Sequence, residues 1–217
     1  MASAVRSGAD LTFAQLAGAD LSNIVLSNAR LNSADLSRAV LCGACLDRAH
    51  LTVAKLIRDD LSNADLFEAN LLGASLACSR LVEAALLSGA DLSQALLPFA
   101  NLSGSSLCGT KLVDAAITAA DLSRADLSGA DLTGAELAGA LLSGASLKGA
   151  NLSKADLSYA DLSGARLLGA NFAFADMTAV ELEGADLTGA NLSGAKLVGT
   201  QLDDADVSGA NLDGIIR

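Results

Sequence analysis

The sequence predicts an all-β solenoid, a rod made of stacked coils of one short repeat. Leucine recurs at every fifth residue from Leu11 to Leu86 and, one residue out of phase, from Leu92 to Leu212, with only Ile117, Phe172, Met177 and Val207 as substitutes. A small residue, usually alanine, stands two positions before each one. A five-residue step scatters side chains around an α-helix and alternates them between the two faces of a flat strand. The chain must therefore turn once per repeat, which defines a stack of coils.

The repeats carry a family resemblance. Units such as Ala120–Arg124 (ADLSR), Ala130–Gly134 (ADLTG) and Ala150–Lys154 (ANLSK) resemble the A(D/N)LXX motif of pentapeptide-repeat proteins, over essentially the whole chain. The resemblance implies one solenoid domain over residues 1–217, a right-handed quadrilateral β-helix of about ten coils with four repeats each. It also implies that the central residue, position i, and the small residue at i−2 point inward, while i−1, i+1 and i+2 point outward.

Asparagines support the four-repeat coil independently of the resemblance. They occupy position i−1 at intervals of 20 residues, at Asn151, Asn171, Asn191 and Asn211. A 20-residue coil stacks their amides into a ladder, in which amides bond to one another along the stacking axis. We therefore expect a structural role for all four.

Two features of the sequence concern the backbone: the phase change and the residues at i+2. The phase change predicts a one-residue slip near residues 87–89, forming a bulge at a corner. Glycine is the commonest residue at i+2, where a corner favours a residue without Cβ. The same position also holds Arg38, Arg48, Tyr159 and Phe174, which predicts that a positive φ is not required there.

One inward position carries an acid. Asp59 occupies an i−2 slot, and burying an unpaired carboxylate is costly. Ser79 lies one coil later at the same position, so we expect its hydroxyl to hydrogen-bond to the Asp59 carboxylate in a structural pair.

Charge is concentrated in the second half of the rod. The net charge is −11; residues 1–90 hold nine acids and seven bases, and residues 91–217 hold sixteen acids and seven bases. The acids fall in outward rows on a 20-residue coil, which disfavours direct nucleic-acid binding because that requires basic stripes. The candidate acidic surface contains Asp121, Asp126, Asp161, Glu181, Asp186 and Asp206.

These acidic rows suggest a second interpretation, mimicry of DNA. Some pentapeptide-repeat proteins resemble DNA and bind DNA gyrase or a related type II topoisomerase, giving quinolone resistance or toxin immunity. This chain departs from that subgroup because position i is nearly always leucine rather than phenylalanine and no loop leaves the coils. Its charge is also lower: a duplex as long as six coils carries about 17 charges, against −9 here.

Apolar residues occupy outward positions near the phase change. Phe67, Leu87 and Cys108 share one predicted i+1 column, and Ile57, Ala77 and Pro98 share another. Exposed apolar strips of this kind mark partner sites. Phe67 and Leu87 are therefore candidate contact residues for an unknown protein partner.

Other functional classes find little support in the residues. We identify no catalytic, cofactor-binding or metal-binding motif, and expect no enzyme activity. Cys42 and Cys45 form a C-x-x-C without a second pair; we interpret them as surface cysteines, with metal or redox use as the alternative. No apolar run predicts a membrane span or a signal peptide, so we expect a cytoplasmic protein.

Two hypotheses for function follow. The first is a non-catalytic structural or protein-interaction rod, and the alternative is a DNA mimic that binds a type II topoisomerase. Because open solenoid ends invite further pairing, we also expect a homodimer through an end coil, with Ile215 and Ile216 near the C-terminal end.

Overall fold

The computed structural model describes residues 7–82, 85–202 and 204–217. These residues contain no α-helix and no strand longer than one paired residue; instead, isolated parallel bridges join residues at position i−1. Bridges link Asp10 with Arg30, Arg30 with His50, and so on to Lys196 with Ile216. The step of 20 residues is the length of four repeats, so successive coils stack in register and form a β-helix.

The backbone hydrogen bonds of one repeat explain this stacking. In residues 125–129, the N–H groups at i−1, i and i+2 donate to neighbouring coils, and the N–H at i−2 closes a turn onto the preceding central residue. The acceptors are the carbonyls of Ser105 (3.0 Å), Ser146 (2.7 Å), Lys148 (2.9 Å) and Leu122 (3.0 Å). Only the N–H at i+1 finds no carbonyl.

The aspartate or asparagine of the motif supplies that missing acceptor. Asp126 Oδ1 accepts the Ser128 backbone N–H at 3.0 Å and the Ser128 hydroxyl at 2.6 Å. The same bond recurs in other repeats, for example at Asp121, Asp156, Asn171 and Asp186. Because an unpaired backbone donor is costly, the motif favours a short side chain with a carbonyl-type oxygen at i−1.

At 40 corners of the described residues the chain turns through a left-handed residue. All 20 glycines have positive φ, and so do 20 other residues at position i+2, including Arg38 (64°), Arg48 (54°), Tyr159 (60°) and Phe174 (60°). The expectation that φ > 0 is not required at this position is therefore wrong. A type II turn needs a positive φ at its third residue, so non-glycine corners accept a cost of about 1 kcal/mol each.

The core is a single column of leucine and alanine. From Leu26 to Leu197, the side chains at i and i−2 are buried, whereas those of the first and last coils are only partly covered. The buried polar residues at i−2 within the described chain are Asp59, Ser79, Ser105 and Thr110. Each end of the column is therefore open relative to its middle.

The slip lies earlier than the sequence predicts. Leu86 is 43% exposed and bridges Asp65, whereas Leu87 is 0% exposed and lies in the core. The step between paired residues becomes 21 for Asp65–Leu86, Asn70–Asp91, Ser75–Leu96 and Arg80–Asn101. The extra residue therefore falls between Leu81 and Ala85, not at 87–89; Glu83 and Ala84, within this segment, lie outside the described residues.

The corrected frame predicts opposite effects for two adjacent leucines. Leu87→Ala removes a buried side chain and leaves a cavity, so it should lower the free energy of unfolding by about 2 to 4 kcal/mol. Leu86→Ala removes an exposed side chain and should change it by less than about 0.5 kcal/mol. Urea unfolding followed by circular dichroism measures both, and equal effects would contradict the frame.

The bond to the i+1 N–H predicts that amide and carboxylate are interchangeable at i−1. Asp126→Asn keeps the acceptor oxygen and should change the free energy of unfolding little. Asp126→Ala leaves the Ser128 N–H without that acceptor and should destabilise the rod by about 1 kcal/mol. If the two variants unfold at the same urea concentration, the side chain does not support the turn.

Candidate interaction surface

The predicted acidic rows exist, but two of them are interrupted. Asp121, Leu141, Asp161 and Glu181 follow one another in one column of bridges. Asp126, Ser146, Arg166, Asp186 and Asp206 follow one another in the next. The interrupting leucine and arginine dilute the charge along each column. A third column holds three acids without interruption, Glu136, Asp156 and Asp176, and continues with Lys196 and Ile216.

Hydrogen bonds lower the pKa of three outward carboxylates, those of Asp206, Asp20 and Asp176. The hydroxyl and the backbone N–H of Ser208 lower the pKa of Asp206, and those of Ser22 lower the pKa of Asp20 in the same way. Partial burial raises the pKa of Asp176, but bonds from Thr178 and Lys196 outweigh this and lower it overall. Each of these aspartates therefore carries its charge at neutral pH while one of its oxygens supports the turn.

The predicted apolar strip is partly wrong. Leu87 is buried and cannot contact a partner; the i+1 column reads Phe67, Ser88 and Cys108, because the N–H of Glu68 donates to the Ser88 carbonyl at 3.1 Å. Phe67 is 38% exposed, as expected for a contact residue. Its ring lies 5.9 Å from the Arg48 guanidinium carbon, within range of a cation–π contact.

The second predicted column has the expected composition. Backbone bonds from Arg58 to the Ala77 carbonyl and from Cys78 to the Pro98 carbonyl, both 3.0 Å, place Ile57, Ala77 and Pro98 one above another. None of the three is fully buried. This column lies two repeats further along the coil than the Phe67 column.

Sequence reasoning missed several exposed apolar side chains near the slip. Leu86, Leu96 (49% exposed) and Phe99 (68% exposed) all face outward. A signal for Leu96 was present, since leucine stands at i−1 where the motif requires aspartate or asparagine. At this repeat the leucine leaves no backbone donor unpaired, because proline at i+1 has no N–H and needs no acceptor.

Three of the four asparagines, Asn151, Asn171 and Asn191, form the amide bonds that their spacing predicts. Asn171 Nδ2 donates to Asn151 Oδ1, and Asn191 Nδ2 donates to Asn171 Oδ1, both at 3.0 Å. Asn151 Nδ2 in turn donates to the Thr133 hydroxyl at 2.7 Å. Asn211 continues the column of bridges, and its Oδ1 accepts the Asp213 N–H at 2.9 Å.

The predicted bond between Ser79 and the Asp59 carboxylate is not formed. The Ser79 hydroxyl instead accepts the Asp59 backbone N–H at 3.3 Å and donates to the Leu56 carbonyl. The hydroxyl therefore bridges the turn from Leu56 to Asp59, in which the usual bond from the i−2 N–H to the preceding central carbonyl is missing. The prediction was wrong because the Ser79 side chain reaches back to the backbone of the preceding coil, as the Thr110 hydroxyl also does to the Leu87 carbonyl at 2.8 Å.

The Asp59 carboxyl follows the same rule and remains half satisfied. Its Oδ1 accepts the Ala39 N–H at 3.1 Å, while Oδ2 is buried without a partner in the described residues. The residue is only 2% exposed. Burial raises the pKa of Asp59 to about 8, despite the backbone bonds from Ala39 and Arg38 that lower it. The carboxyl is therefore mostly protonated at neutral pH.

The cysteines and acids form no metal cluster in the described part of the chain. Cys42 and Cys45 are partly exposed free thiols, and Cys78 and Cys108 are exposed free thiols. No group of three or more His, Cys, Asp or Glu side chains is arranged to hold an ion within residues 7–82, 85–202 and 204–217. The described residues also contain no helix long and apolar enough to cross a membrane.

Comparison with known proteins identifies the family. The profile of pentapeptide repeats matches eight copies, over residues 7–43, 44–81, 85–124, 120–158, 155–194 and 175–216. The chain belongs to the pentapeptide repeat family. The resemblance of its ADLXX and ANLXX units is thus confirmed. A comparison with curated proteins gave no match.

Several solved structures of pentapeptide-repeat proteins are similar. HetL, involved in heterocyst differentiation regulation in the cyanobacterium Nostoc, is 36% identical over 97% of this chain and 87% of its own, with a TM-score of 0.49. A protein of the Arabidopsis thaliana thylakoid lumen is 34% identical over 43% of this chain and 65% of its own, with a TM-score of 0.42. QnrB1, a plasmid-mediated fluoroquinolone resistance protein, is 19% identical over 82% and 88%, with a TM-score of 0.43.

The half-satisfied carboxyl predicts how stability depends on pH. Asp59 has a raised folded-state pKa, so its contribution to stability is full below about pH 4 and is lost as the pH rises through about 8. Asp59→Ala, which restores the usual residue of this position, should therefore stabilise the rod by at least about 2 kcal/mol at pH 8, and by less at pH 4.

A neighbouring aspartate provides the control. Partial burial raises the pKa of Asp60, but bonds from Ser62 lower it overall, so its contribution is present above its unfolded pKa and is lost in acid. Asp60→Ala should destabilise the rod at pH 8 and lose that effect as the pH falls. Urea unfolding across this range decides the point: a stability difference for Asp59→Ala that does not change with pH rules out a proton held by the folded state.

Proposed function

We propose that this chain is a non-catalytic, cytoplasmic rod that binds a protein partner through its outward side chains. In this proposal the β-helix is right-handed and quadrilateral, with about ten coils, and its 20-residue step between bridges supports four repeats per coil. The side chains at i and i−2 are buried inside the stack, and most backbone donors form hydrogen bonds within it. Only the outward side chains are free to distinguish one partner from another.

The observation that carries the proposal is the group of apolar side chains beside the slip. We call Phe67, Leu86 and Cys108 the Phe67 patch: all three are exposed and lie on the same strip of three successive coils. Serine, threonine or aspartate would be the ordinary residues at these positions. A cluster of exposed apolar side chains on an acidic rod supports contact with another protein.

Serine substitutions test the Phe67 patch. Phe67→Ser with Leu86→Ser should abolish capture of a specific partner from lysate of the source cells, while leaving the unfolding midpoint unchanged. Leu168→Ser is the matched control, because Leu168 also lies at i+1 of this strip and is 38% exposed, as Phe67 is. The proposal fails for this patch if the double variant and the control retain the same partners.

The acidic columns favour the alternative, a DNA mimic that binds DNA gyrase or a related type II topoisomerase. Three consecutive acids at Glu136, Asp156 and Asp176 support it. Leu141, Arg166 and Lys196 weigh against it, because they interrupt the columns where a duplex would continue its charge. End-to-end homodimerisation through an end coil stays a prediction, supported by the partial exposure of the terminal core residues.

A supercoiling assay with purified gyrase tests the alternative. A mimic should inhibit supercoiling or protect gyrase from a quinolone, and Asp→Asn changes at 121, 126, 161, 186 and 206 together should remove the effect. Asparagine keeps the acceptor for the i+1 N–H, so the charge changes without loss of that bond. The same change at Asp20, Asp35, Asp60 and Asp65 is the control. An unaltered protein without effect on gyrase eliminates the mimic.

A further inference from the structure

One side of the rod changes character along its length. We call it the Leu96 face; it contains the i+1 and i+2 residues that follow each member of one bridge column, and the column itself, Gln15, Asp35, Lys55, Ser75, Leu96, Ala116, Glu136, Asp156, Asp176, Lys196 and Ile216. Its N-terminal part is basic, with Arg38, Lys55 and Arg58. Its middle is apolar, and its C-terminal part holds the three consecutive acids. It lies two repeats away from the Phe67 patch along the coil.

The cations of the Leu96 face are available to a partner. Arg38 and Arg58 occupy consecutive coils at the same corner, both are exposed, and neither forms an ion pair within the described residues. Lys55 has only a long contact of 3.9 Å to Asp35. A shallow groove runs beside these side chains, lined by Ala17, Ser37, Arg38, Ile57, Arg58, Ala77 and Cys78.

The apolar middle alternates large and small residues. Leu96 and Phe99 project from one coil, while the next coil carries Ala116 and Ala119 at the same two positions. Phe99 is 68% exposed and Leu96 is 49% exposed. A large pair beside a small pair is self-complementary when a second copy is turned end for end.

We propose that a second copy of this chain binds the Leu96 face with its rod antiparallel. The two-fold axis lies in the interface, perpendicular to the rods, between the coil of Leu96 and the coil of Ala116. This axis makes each column face the same column of the other copy, with the coil order reversed. The contact is isologous, so every pairing occurs twice.

The pairings that follow from this axis are chemically matched. Leu96 faces the partner's Ala116, Phe99 faces the partner's Ala119, and Cys78 faces the partner's Gly139. Lys55 faces the partner's Asp156, an ion pair, and Arg58 faces the partner's Tyr159, a cation–π pair. Outside these pairs, Asp35 faces the partner's Asp176. Each of these acids has a lysine of its own chain nearby: Lys55 Nζ lies 3.9 Å from Asp35 Oδ2, and Lys196 Nζ lies 3.0 Å from Asp176 Oδ2.

Other arrangements fit less well. Parallel rods would bring the acidic thirds of the two copies together, and like charges across an interface cost several kcal/mol. Moving the axis onto the Leu96 coil would place Phe99 on Phe99 and lose the match of large with small. The proposed contact leaves both end coils free, so it is distinct from end-to-end pairing.

Charge exchange tests the contact on the full chain. Sedimentation equilibrium should give twice the chain mass of 21.6 kDa, and Lys55→Asp or Asp156→Lys alone should each weaken association by about tenfold or more. Because each lysine faces an aspartate, the double variant should recover most of the lost affinity. Lys111→Asp with Asp131→Lys, on another face, is the control and should leave association unchanged.

The apolar centre and the register are tested separately. Phe99→Ser should weaken the dimer by about tenfold, whereas Phe174→Ser, at an equally exposed corner with almost the same φ (60° against 57°), should not. With an added oxidant, Gly139→Cys should form a disulfide-linked dimer with the native Cys78. Gly144→Cys, at the next corner, should give no more covalent dimer than the unaltered chain.

Specific outcomes overturn the proposal. A monomer at all concentrations, or a dimer that both single charge variants leave intact, rejects the Leu96 face as the contact; the second result would assign the dimer to an end coil. Failure of the double variant to recover affinity rejects the antiparallel register. Equal cross-linking by Gly139→Cys and Gly144→Cys also rejects the antiparallel register.

Discussion

The whole structure depends on a turn that closes at every fifth residue through a left-handed corner. Because the corner takes a positive φ, the chain changes direction after two inward side chains and pairs with the coils on either side of it. Four N–H groups of each regular repeat then find carbonyls. The bore that results favours leucine at i and small residues at i−2, so the sequence repeats because the space repeats.

The fifth N–H gives the motif its aspartate. That side chain accepts the i+1 donor and, in doing so, also places a negative charge on the surface. Stability and acidity therefore arise from the same residue, and the acidity of a pentapeptide-repeat rod does not require a basic partner to explain it. Asparagine meets the structural need without the charge, as the column from Asn151 to Asn211 illustrates. This separation is what makes the charge of the rod testable without disturbing its fold.

The candidate contact residues Phe67, Leu86, Leu96 and Phe99 lie near the point where the repeat is interrupted. The inserted residue shifts the step from 20 to 21 and turns Leu86 outward, next to Phe67 on one side of the rod. On the other side, Pro98 removes the donor that would require aspartate, and Leu96 takes its place. An apolar side chain at position 96 therefore leaves no backbone donor of its repeat without an acceptor.

Sequence alone determined the period, the family and the direction of the core side chains, because leucine and alanine recur at positions that only a stack of coils can bury. It also placed the asparagine column, since their spacing equals one coil. The tertiary structure decided the rest. Ala84–Ala85 followed by Leu86–Leu87 satisfies two frames equally, and only the pairing between coils selects Leu87 for the core. The bridge formed by Ser79, and the half-satisfied carboxyl of Asp59, likewise depend on which backbone groups the preceding coil presents. The opposed basic and acidic parts of the Leu96 face emerge only when residues 20 or 21 apart are stacked, because no local segment of the chain contains both.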